Sequence, residues 1–356
     1  MSAAILPYEV ALRSPMATAH RIVAERRGAL IRLTDDEAWG WGDVCPMPGW
    51  SAHDIDELTA RLAAATAAFD GGFGDRGAPA FDGDVAQALA RLEPLPEARA
   101  GLAGAAHDLA AQRCGLPLAA HLAPAPLDRI AVNATIGAAD VSTALTNVNL
   151  AIAHGITTVK LKVAHRRLDA DLALIEGTRR ALGDDGEIRL DANGGWRPEA
   201  AAEALAAAAP FGIAFCEEPT SGIDAIAALG VQSPIPLGVD ESARTVEDLD
   251  RALATGTIDV VVVKPQALGG PDLAMAAIDL AHRAGVTPIV TSMIDSAIGV
   301  AHAVHVAAAS GVTAAHGVAT SALLAADVAA PLAVEDGHIV VPSLPGLGVR
   351  PSNPPR

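Results

Sequence analysis

The run Val159-Lys-Leu-Lys-Val163 is β-branched and apolar, as a buried strand should be, yet it carries two lysines, Lys160 and Lys162. Side chains alternate across a strand with period two, so both amines project from one face. Two folds satisfy that pattern. In one, the run is an exposed edge strand whose lysines deter aggregation. In the other, the lysine face lines a closed barrel, where each ammonium disfavours its neighbour's charge and a pKa falls toward neutrality. A lysine of that second kind can act as a proton-abstracting base.

The pattern of the remaining chain favours the barrel. From about Ile130 a short apolar strand, a loop, an amphipathic helix and another strand recur. The expected strands are Ile130–Ile136, Thr158–Val163, Glu187–Ala192, Ile213–Glu217, Ile235–Asp240, Val260–Lys264, Pro288–Thr291 and a weaker one at Thr313–Val318. Eight strands with intervening helices define an α/β fold, a (β/α) barrel of modified TIM type. Upstream, strand-like runs at Ile22–Ala24 and Ala29–Leu33 precede alanine-rich helices across 53–69 and 84–121, which makes an α+β unit. The division is expected at 1–124 for an α+β capping domain and 125–330 for the barrel. The tail 331–356 is expected to return to the first domain.

Composition narrows the partners. A chain of 356 residues, 51% of them apolar, can build a full-size core and a smaller companion. A net charge of −17 argues against nucleic acid or an anionic membrane as partner. Cys45, Cys114 and Cys216 are odd in number and lack metal-ligand spacing, so neither a disulfide framework nor a zinc site is expected. With no charged-then-apolar leader and no long apolar run, a soluble protein of the reducing cytoplasm is expected. Composition leaves the oligomeric state open.

Barrel sites form at the carboxyl ends of strands. There this chain carries Lys160 and Lys162, then Asp191 and Asn193, then Glu217 and Glu218, then Asp240 and Glu241, then Lys264. Asp191, Glu217 and Asp240 come from three successive strands, and three hard oxygen donors converging there suit Mg²⁺, with Mn²⁺ an alternative. Singly, each acid could as well cap a following helix. Lys162 and Lys264 approach the expected metal from opposite sides, so a small-molecule carboxylate would lie between them. That arrangement points to proton abstraction alpha to a carboxylate, with the enediolate stabilised by the ion. Arg189, two residues before Asp191, is expected in the same interior, either as a clamp or pKa-setting partner or in an ion pair with a neighbouring acid.

Lys160-Leu-Lys162, Leu190-Asp-Ala-Asn193, Cys216-Glu-Glu-Pro219, Val239-Asp-Glu-Ser242 and Val263-Lys-Pro265 together resemble the barrel motifs of the enolase superfamily, muconate-lactonizing subgroup. That superfamily is known to use a Lys or His base with Mg²⁺. The resemblance implies that Asp191, Glu217 and Asp240 are metal ligands and that Lys162 and Lys264 are the acid/base pair. Lys160, Arg189 and Asn193 would support them. It also implies that the first domain caps the barrel and contributes specificity loops.

The run Gly40-Trp-Gly-Asp-Val-Cys-Pro-Met-Pro-Gly-Trp-Ser51 resembles the capping loop of the o-succinylbenzoate synthases of menaquinone biosynthesis. Its prolines and glycine make a rigid turn that presents Met47 and Trp50 to an apolar ring; alternatively, Trp50 packs between the domains. Thr291-Ser-Met-Ile-Asp295 resembles the seventh-strand segment, where Ser292 and Asp295 are candidate substrate contacts and the family usually has Glu at the position of Asp295. His316-Gly-Val-Ala-Thr-Ser321 lacks the Asp-X-Asp of dipeptide epimerases, and His316 is expected to be a packed or capping residue. The resemblance therefore implies a metal-dependent dehydratase that makes o-succinylbenzoate. Its alternatives are a racemase or epimerase of N-acylamino acids or dipeptides, a muconate-type cycloisomerase and, outside catalysis, a barrel-based binding protein.

Overall fold

A computed structural model of the chain describes residues 1–17, 22–35, 38–67, 69, 83–137 and 140–352. The first domain opens with an antiparallel sheet of β1 (Ser2–Ala17), β2 (Ile22–Asp35) and β3 (Ala38–Val44), in that spatial order. The two short runs expected at Ile22–Ala24 and Ala29–Leu33 are one strand. The intervening Glu25-Arg-Arg-Gly28 reads as polar, but Glu25 and Arg27 point to solvent while Arg26 is buried. The inward residues Ala29, Ile31 and Leu33 pack with Leu58 and Leu62 of α1 (Ile55–Thr66), with α2 (Gly83–Arg91), and with Leu102 and Leu109 of α3 (Pro96–Cys114). Asp54 caps α1 by accepting the Glu57 N–H. Residue 68, in the stretch expected to be helical, lies outside the described residues. The helix expected across 84–121 is three, because Pro96 and Pro117 start new segments; the last is α4 (Leu118–Leu122).

Sheet and α3 meet through glycine. A Cβ on Gly42 would sit 1.8 Å from the Gly101 carbonyl oxygen, and one on Gly40 2.0 Å from the Ala105 oxygen. No other residue allows β3 to lie this close to the helix backbone.

The barrel is a parallel sheet ordered β11-β10-β9-β8-β7-β6-β5. Its strands are β5 (Asn133–Ile136), β6 (Thr158–Lys162), β7 (Glu187–Asp191), β8 (Ile213–Glu217), β9 (Leu237–Val239), β10 (Val260–Val263) and β11 (Thr287–Val290). Between and after them run α5 (Val141–Ala153), α6 (Leu168–Leu182), α7 (Pro198–Ala208), α8 (Ile223–Gly230), α9 (Val246–Ala254), the short α10 (Pro265–Leu268), α11 (Pro271–Ala284) and α12 (Ala297–Ala309). The eighth strand is reduced to single bridges, His316 with Val132 and Gly317 with Thr291. Those bridges join the two ends of the sheet: His316 N–H bonds Ala131 O at 2.8 Å and Gly317 N–H bonds Val290 O at 2.9 Å. The strand expected at Ile130–Ile136 divides, since β4 (Arg129–Ala131) pairs antiparallel with β12 (His338–Val340) rather than within the barrel.

The tail, expected to return to the first domain, thus first pairs with the base of the barrel. Beyond β12 it reaches the first domain, where Leu118 N–H bonds Gly346 O and Leu347 N–H bonds the Asp108 carboxylate on α3.

All of α12 is buried, since it lies between the barrel and the first domain. Its His302 and His305 join three parts of the chain: His302 Nε2 lies 2.8 Å from Trp41 O, while His305 Nδ1 accepts the Ala119 N–H and Nε2 lies 3.0 Å from Leu347 O. Burial pushes both imidazoles down to about 4.

Gly42→Ala is expected to cost about 1–3 kcal/mol or more, as for any overpacked core; an unchanged melting temperature would contradict the close approach. The two histidines add a pH dependence. Their folded pKa lies below the unfolded value of about 6.5, so the unfolded chain binds the proton first and stability falls as pH drops from about 6.5 toward 4. Thermal melts across that range should decline, and His305→Gln should flatten part of the decline.

Candidate active site

Parallel register stacks the charged residues in layers. Lys160 lies opposite Arg189, which lies opposite Phe215; one layer higher, Lys162, Asp191, Glu217 and Gly238 are aligned. From its lower layer the Lys160 amine rises to Asp191 Oδ2 at 2.9 Å and Glu217 Oε2 at 3.1 Å. Lys162 Nζ donates to Asp191 Oδ2 at 2.7 Å and Asn193 Oδ1 at 2.8 Å. Across the mouth, Lys264 Nζ donates to Asp240 Oδ2 at 2.5 Å. The side chain of Lys162 keeps 29% exposure against 12% for Lys160, so Lys162 is the amine that an incoming molecule would meet.

The loops after the strands fix these groups. Asn193 and Glu218 are non-glycine residues with φ of 46° and 44°, a left-handed conformation that persists only where surrounding contacts impose it. Glu218 accepts the Asp240 N–H at 2.9 Å and the Ser242 hydroxyl, which ties the fourth strand end to the fifth. Asn193 donates its Nδ2 to Glu241 Oε1 at 2.8 Å, which turns its oxygen toward Lys162.

The first domain supplies a lid. Trp50 lies with its ring centroid 3.8 Å from Lys264 Nζ and 4.4 Å from the Arg244 guanidinium carbon, and Arg244 also donates to Trp50 O at 3.1 Å. The turn is closed by Trp50 and Ser51 N–H groups bonded to Met47 O.

Burial and charge set the protonation of the cluster. For Lys160, burial alone would lower the pKa, but Asp191, Glu217 and Asp240 outweigh it and raise it above the ordinary lysine value. Lys264 is raised in the same way by Asp240 and Glu241 against its burial. The expected fall of a lysine pKa through mutual repulsion is therefore not what Lys160 shows: carboxylates, not the other amine, are its nearest charges. Asp191 is buried, yet Lys160 and Lys162 hold it below the usual carboxylate range. Burial and the Asp191 charge push Glu217 up to about 8, and burial pushes Glu218 up to about 7.

Five carboxyl groups (Asp191, Glu217, Glu218, Asp240, Glu241) thus face three amines (Lys160, Lys162, Lys264), and four of the five are pushed toward their neutral forms. A cation would favour their ionised forms, and the oxygen donors suit a hard ion. Among the described residues, no three side chains stand close enough to share a metal as they are oriented, since Lys160 bridges Asp191 and Glu217.

The structure brings together Lys160, Lys162, Asp191, Asn193, Glu217, Asp240, Lys264 and Trp50. It does not bring Arg189 to them. That guanidinium points down the barrel, pairs with Glu187 at 2.5 Å, donates to Ala315 O at 2.6 Å and lies 5.0 Å from the Phe215 ring centroid. The ion-pair expectation for Arg189 is met, and the clamp expectation is corrected, because Arg189 sits one layer below the acids. Asp295 is also elsewhere: it is buried at the seam between the domains, where it accepts the Met293 N–H at 3.2 Å. Its neighbours in a small seam cavity include Asp43, Gln266 and His302. The segment turns at Ile294, φ 59°, and the Asp295 carboxyl lies within the influence of both Arg26 and Lys264. Ser292 spends its hydroxyl on Thr320 and Gly317, and Met47 packs at the seam beside Ile294 and Leu324. His316 is packed, as expected: Nδ1 accepts the Val290 N–H and Nε2 lies 3.2 Å from Val312 O.

The sequence reading gave no role to Glu218, Glu241 or Arg244. All three follow strand-end acids directly or closely, a spacing that marks them as supports. Arg26 was missed entirely, with no motif around it to signal a role.

Buried lysines and acids on successive strand ends of a barrel, covered by a loop from an α+β domain, have the chemistry of an acid–base site. Residues 143–354 match the model of the enolase C-terminal domain-like family, and residues 1–80 that of the MenC N-terminal domain. The o-succinylbenzoate synthase of Thermobifida fusca is 36% identical over 209 residues, 58% of this chain and 64% of that protein, a little under two thirds of its length. That of Mycolicibacterium smegmatis is 34% identical over 264 residues, 72% of this chain and 76% of that one. Among solved structures, the L-Ala-D/L-Glu epimerase of Bacillus subtilis in a substrate-liganded complex aligns with TM-score 0.88 and 26% identity over 98% of both chains. A dipeptide epimerase of Enterococcus faecalis, complexed with Mg and a dipeptide, aligns with TM-score 0.89 at 21% identity over 98% of both chains. The chain belongs to the enolase superfamily and, within it, to the family of the o-succinylbenzoate synthases.

A cation–π contact contributes about 0.5–2 kcal/mol. Trp50→Ala is therefore expected to raise KM about twofold to thirtyfold, with a smaller change in kcat; steady-state kinetics with an unaltered KM would remove Trp50 from the binding surface.

Proposed function

We propose that this chain dehydrates a succinyl-bearing hydroxycyclohexadiene carboxylate to o-succinylbenzoate. The observation that carries the reading is the placement of Lys162 and Lys264 on opposite sides of the buried acids Asp191, Glu217 and Asp240, beneath Trp50. In this reading the ring carboxylate enters between the two amines and the ring lies under the indole. Lys162, oriented by Asn193, takes the alpha proton. The ammonium of Lys264 faces the carboxylate, where negative charge grows as the proton leaves, and stabilises it without transferring a proton. The proton held by Lys162 is then available to the departing hydroxide, so water leaves and the ring becomes aromatic. Asp191, Glu217 and Asp240 would hold Mg²⁺ or Mn²⁺, which supplies Lewis-acid stabilisation of the enediolate. Binding an ion there requires the carboxylates to exchange lysine partners for metal.

The same proposal assigns residues 1–124 with the tail from 331 to the cap and 125–330 to the barrel. It sites the reaction in the cytoplasm, a reading supported by three unpaired cysteines, Cys45 and Cys216 buried and Cys114 exposed. Among the described residues, no helix is long and apolar enough to cross a membrane.

Epimerisation of N-acylamino acids or dipeptides is a second reading, favoured by the opposed lysines, which can each serve one enantiomer. Against it stands the eighth-strand segment, where His316 is locked into the barrel wall and no Asp-X-Asp is present to receive a substrate ammonium.

Chelation should abolish dehydration and Mg²⁺ or Mn²⁺ restore it, while Lys162→Ala should lower kcat by at least a thousandfold. Full turnover in excess chelator after dialysis would sink the metal assignment. In deuterated buffer with N-succinylamino acids, rapid exchange at both enantiomers without dehydration of the cyclohexadiene acid would select the epimerase instead.

A further inference from the structure

Arg26 is fully buried on β2; the buried carboxyls of Asp295 and Asp43 act on its charge through space, while its hydrogen bonds go elsewhere. Its guanidinium spends its N–H groups on backbone carbonyls from two domains and, at 3.1 Å, on the Cys45 sulfur. Nη2 and Nη1 donate to Cys45 O at 3.0 Å and Pro46 O at 2.9 Å, the two residues that open the Trp50 turn. Nε and Nη2 donate to Ile294 O at 3.0 Å and Met293 O at 3.3 Å, at the end of the seventh barrel strand. Burying a charge this completely is costly unless its hydrogen bonds are made, and only a planar fork with five donors can reach four carbonyls at once.

Both ends of that bridge are positions where the chain needs holding. Ile294 is a β-branched residue at φ 59°, an outlier that persists only if over-determined, and Arg26 Nε holds its carbonyl. On the other side, Pro46, Pro48 and Gly49 stiffen the turn but do not fix where it points; Met47 packs against the Ile294 cluster and Trp50 reaches Lys264. A second tie runs alongside, since Asp43 accepts the Tyr8 hydroxyl at 2.8 Å and both the Ser296 N–H and hydroxyl across the seam. It joins β3 to the start of α12; at the turn itself Arg26 holds the Cys45 and Pro46 carbonyls where the turn opens, and Arg244 holds the Trp50 carbonyl at its far end.

We infer that Arg26 is a positioning residue that sets the reach of the Trp50 turn over Lys264 by clamping it to the Met293–Ile294 carbonyls, and so determines how tightly a substrate ring is covered. Arg26 touches no reacting atom. Its effect should therefore fall on substrate binding rather than on the proton-transfer step. The kinetic part of this inference rests on the synthase reading; the conformational part does not.

The test uses the full-length chain as wild type, Arg26→Met and Arg26→Lys, with hydrogen exchange followed by mass spectrometry. Arg26→Met is expected to speed exchange in residues 45–51 at least tenfold, including the Trp50 and Ser51 amides, while β6–β8 keep wild-type protection. Unchanged exchange in 45–51 would overturn the clamp, and so would an equal loss across the barrel strands, which would make Arg26 a general stability residue. Should Arg26→Met not fold, Arg26→Lys keeps charge and stem but cannot span four carbonyls, and the same local loosening is expected; wild-type exchange in it would overturn the clamp. With the cyclohexadiene acid, KM should rise at least tenfold and kcat change less than threefold. The Arg26→Met/Trp50→Ala double variant should be no worse than the poorer single variant, whereas additive effects would contradict action through Trp50. If wild type does not turn over this acid, the synthase reading fails while the exchange result still decides the clamp.

Discussion

The mouth of the barrel is a lattice of ions taken out of water, and the surrounding structure is arranged to keep that lattice paired. Asp191, Glu217 and Asp240 are each at most 4% exposed, so an unanswered charge on any of them would cost several kcal/mol. Strand register answers it. A shift of one residue in β6 would turn Lys160 and Lys162 out toward the helices and leave Asp191 without either amine. The left-handed backbone at Asn193 and Glu218 serves the same end by aiming one polar group at Lys162 and another at the Asp240 amide.

Pairing is incomplete, since five carboxyl groups share three amines. A stability-optimised core would replace such a cluster with apolar residues, since buried ion pairs seldom repay their desolvation. Here the acids outnumber the amines, and Glu217 is pushed toward its neutral form by its burial and by Asp191 beside it. Dehydration and epimerisation begin from the same proton abstraction, so the lysine pair alone does not choose between them. Above the lysines lies the Trp50 turn, with its indole over Lys264.

The turn belongs to a separate layer of structure, and its precision depends on the seam. There the contacts are mainly between side chains and backbone: Arg26 to four carbonyls, Asp43 to Ser296, His302 to Trp41 O. Backbone carbonyls move less than side chains, so a lid fastened in this way is held to the barrel frame itself. The wholly buried α12 carries much of that seam; it is apolar apart from His302 and His305, whose Nε2 atoms are hydrogen-bonded, because it has a domain on either side.

Periodicity and strand-end chemistry by themselves determined the barrel and its order of charged strands, because strand alternation and parallel register are local rules that the residues obey one by one. The same rules missed whatever depends on elements distant in the chain. Arg189 obeys the alternation yet sits a layer too low to meet the acids. Asp295 occupies a motif position yet is turned to the seam by the backbone at Ile294. The β4–β12 pairing brings together segments some two hundred positions apart, and no local pattern announces it. Arg26 looked like one charge in a polar run. Only the docking of one domain on the other decided that it is buried, and what it holds, because burial is a property of the assembled surfaces and not of the residue.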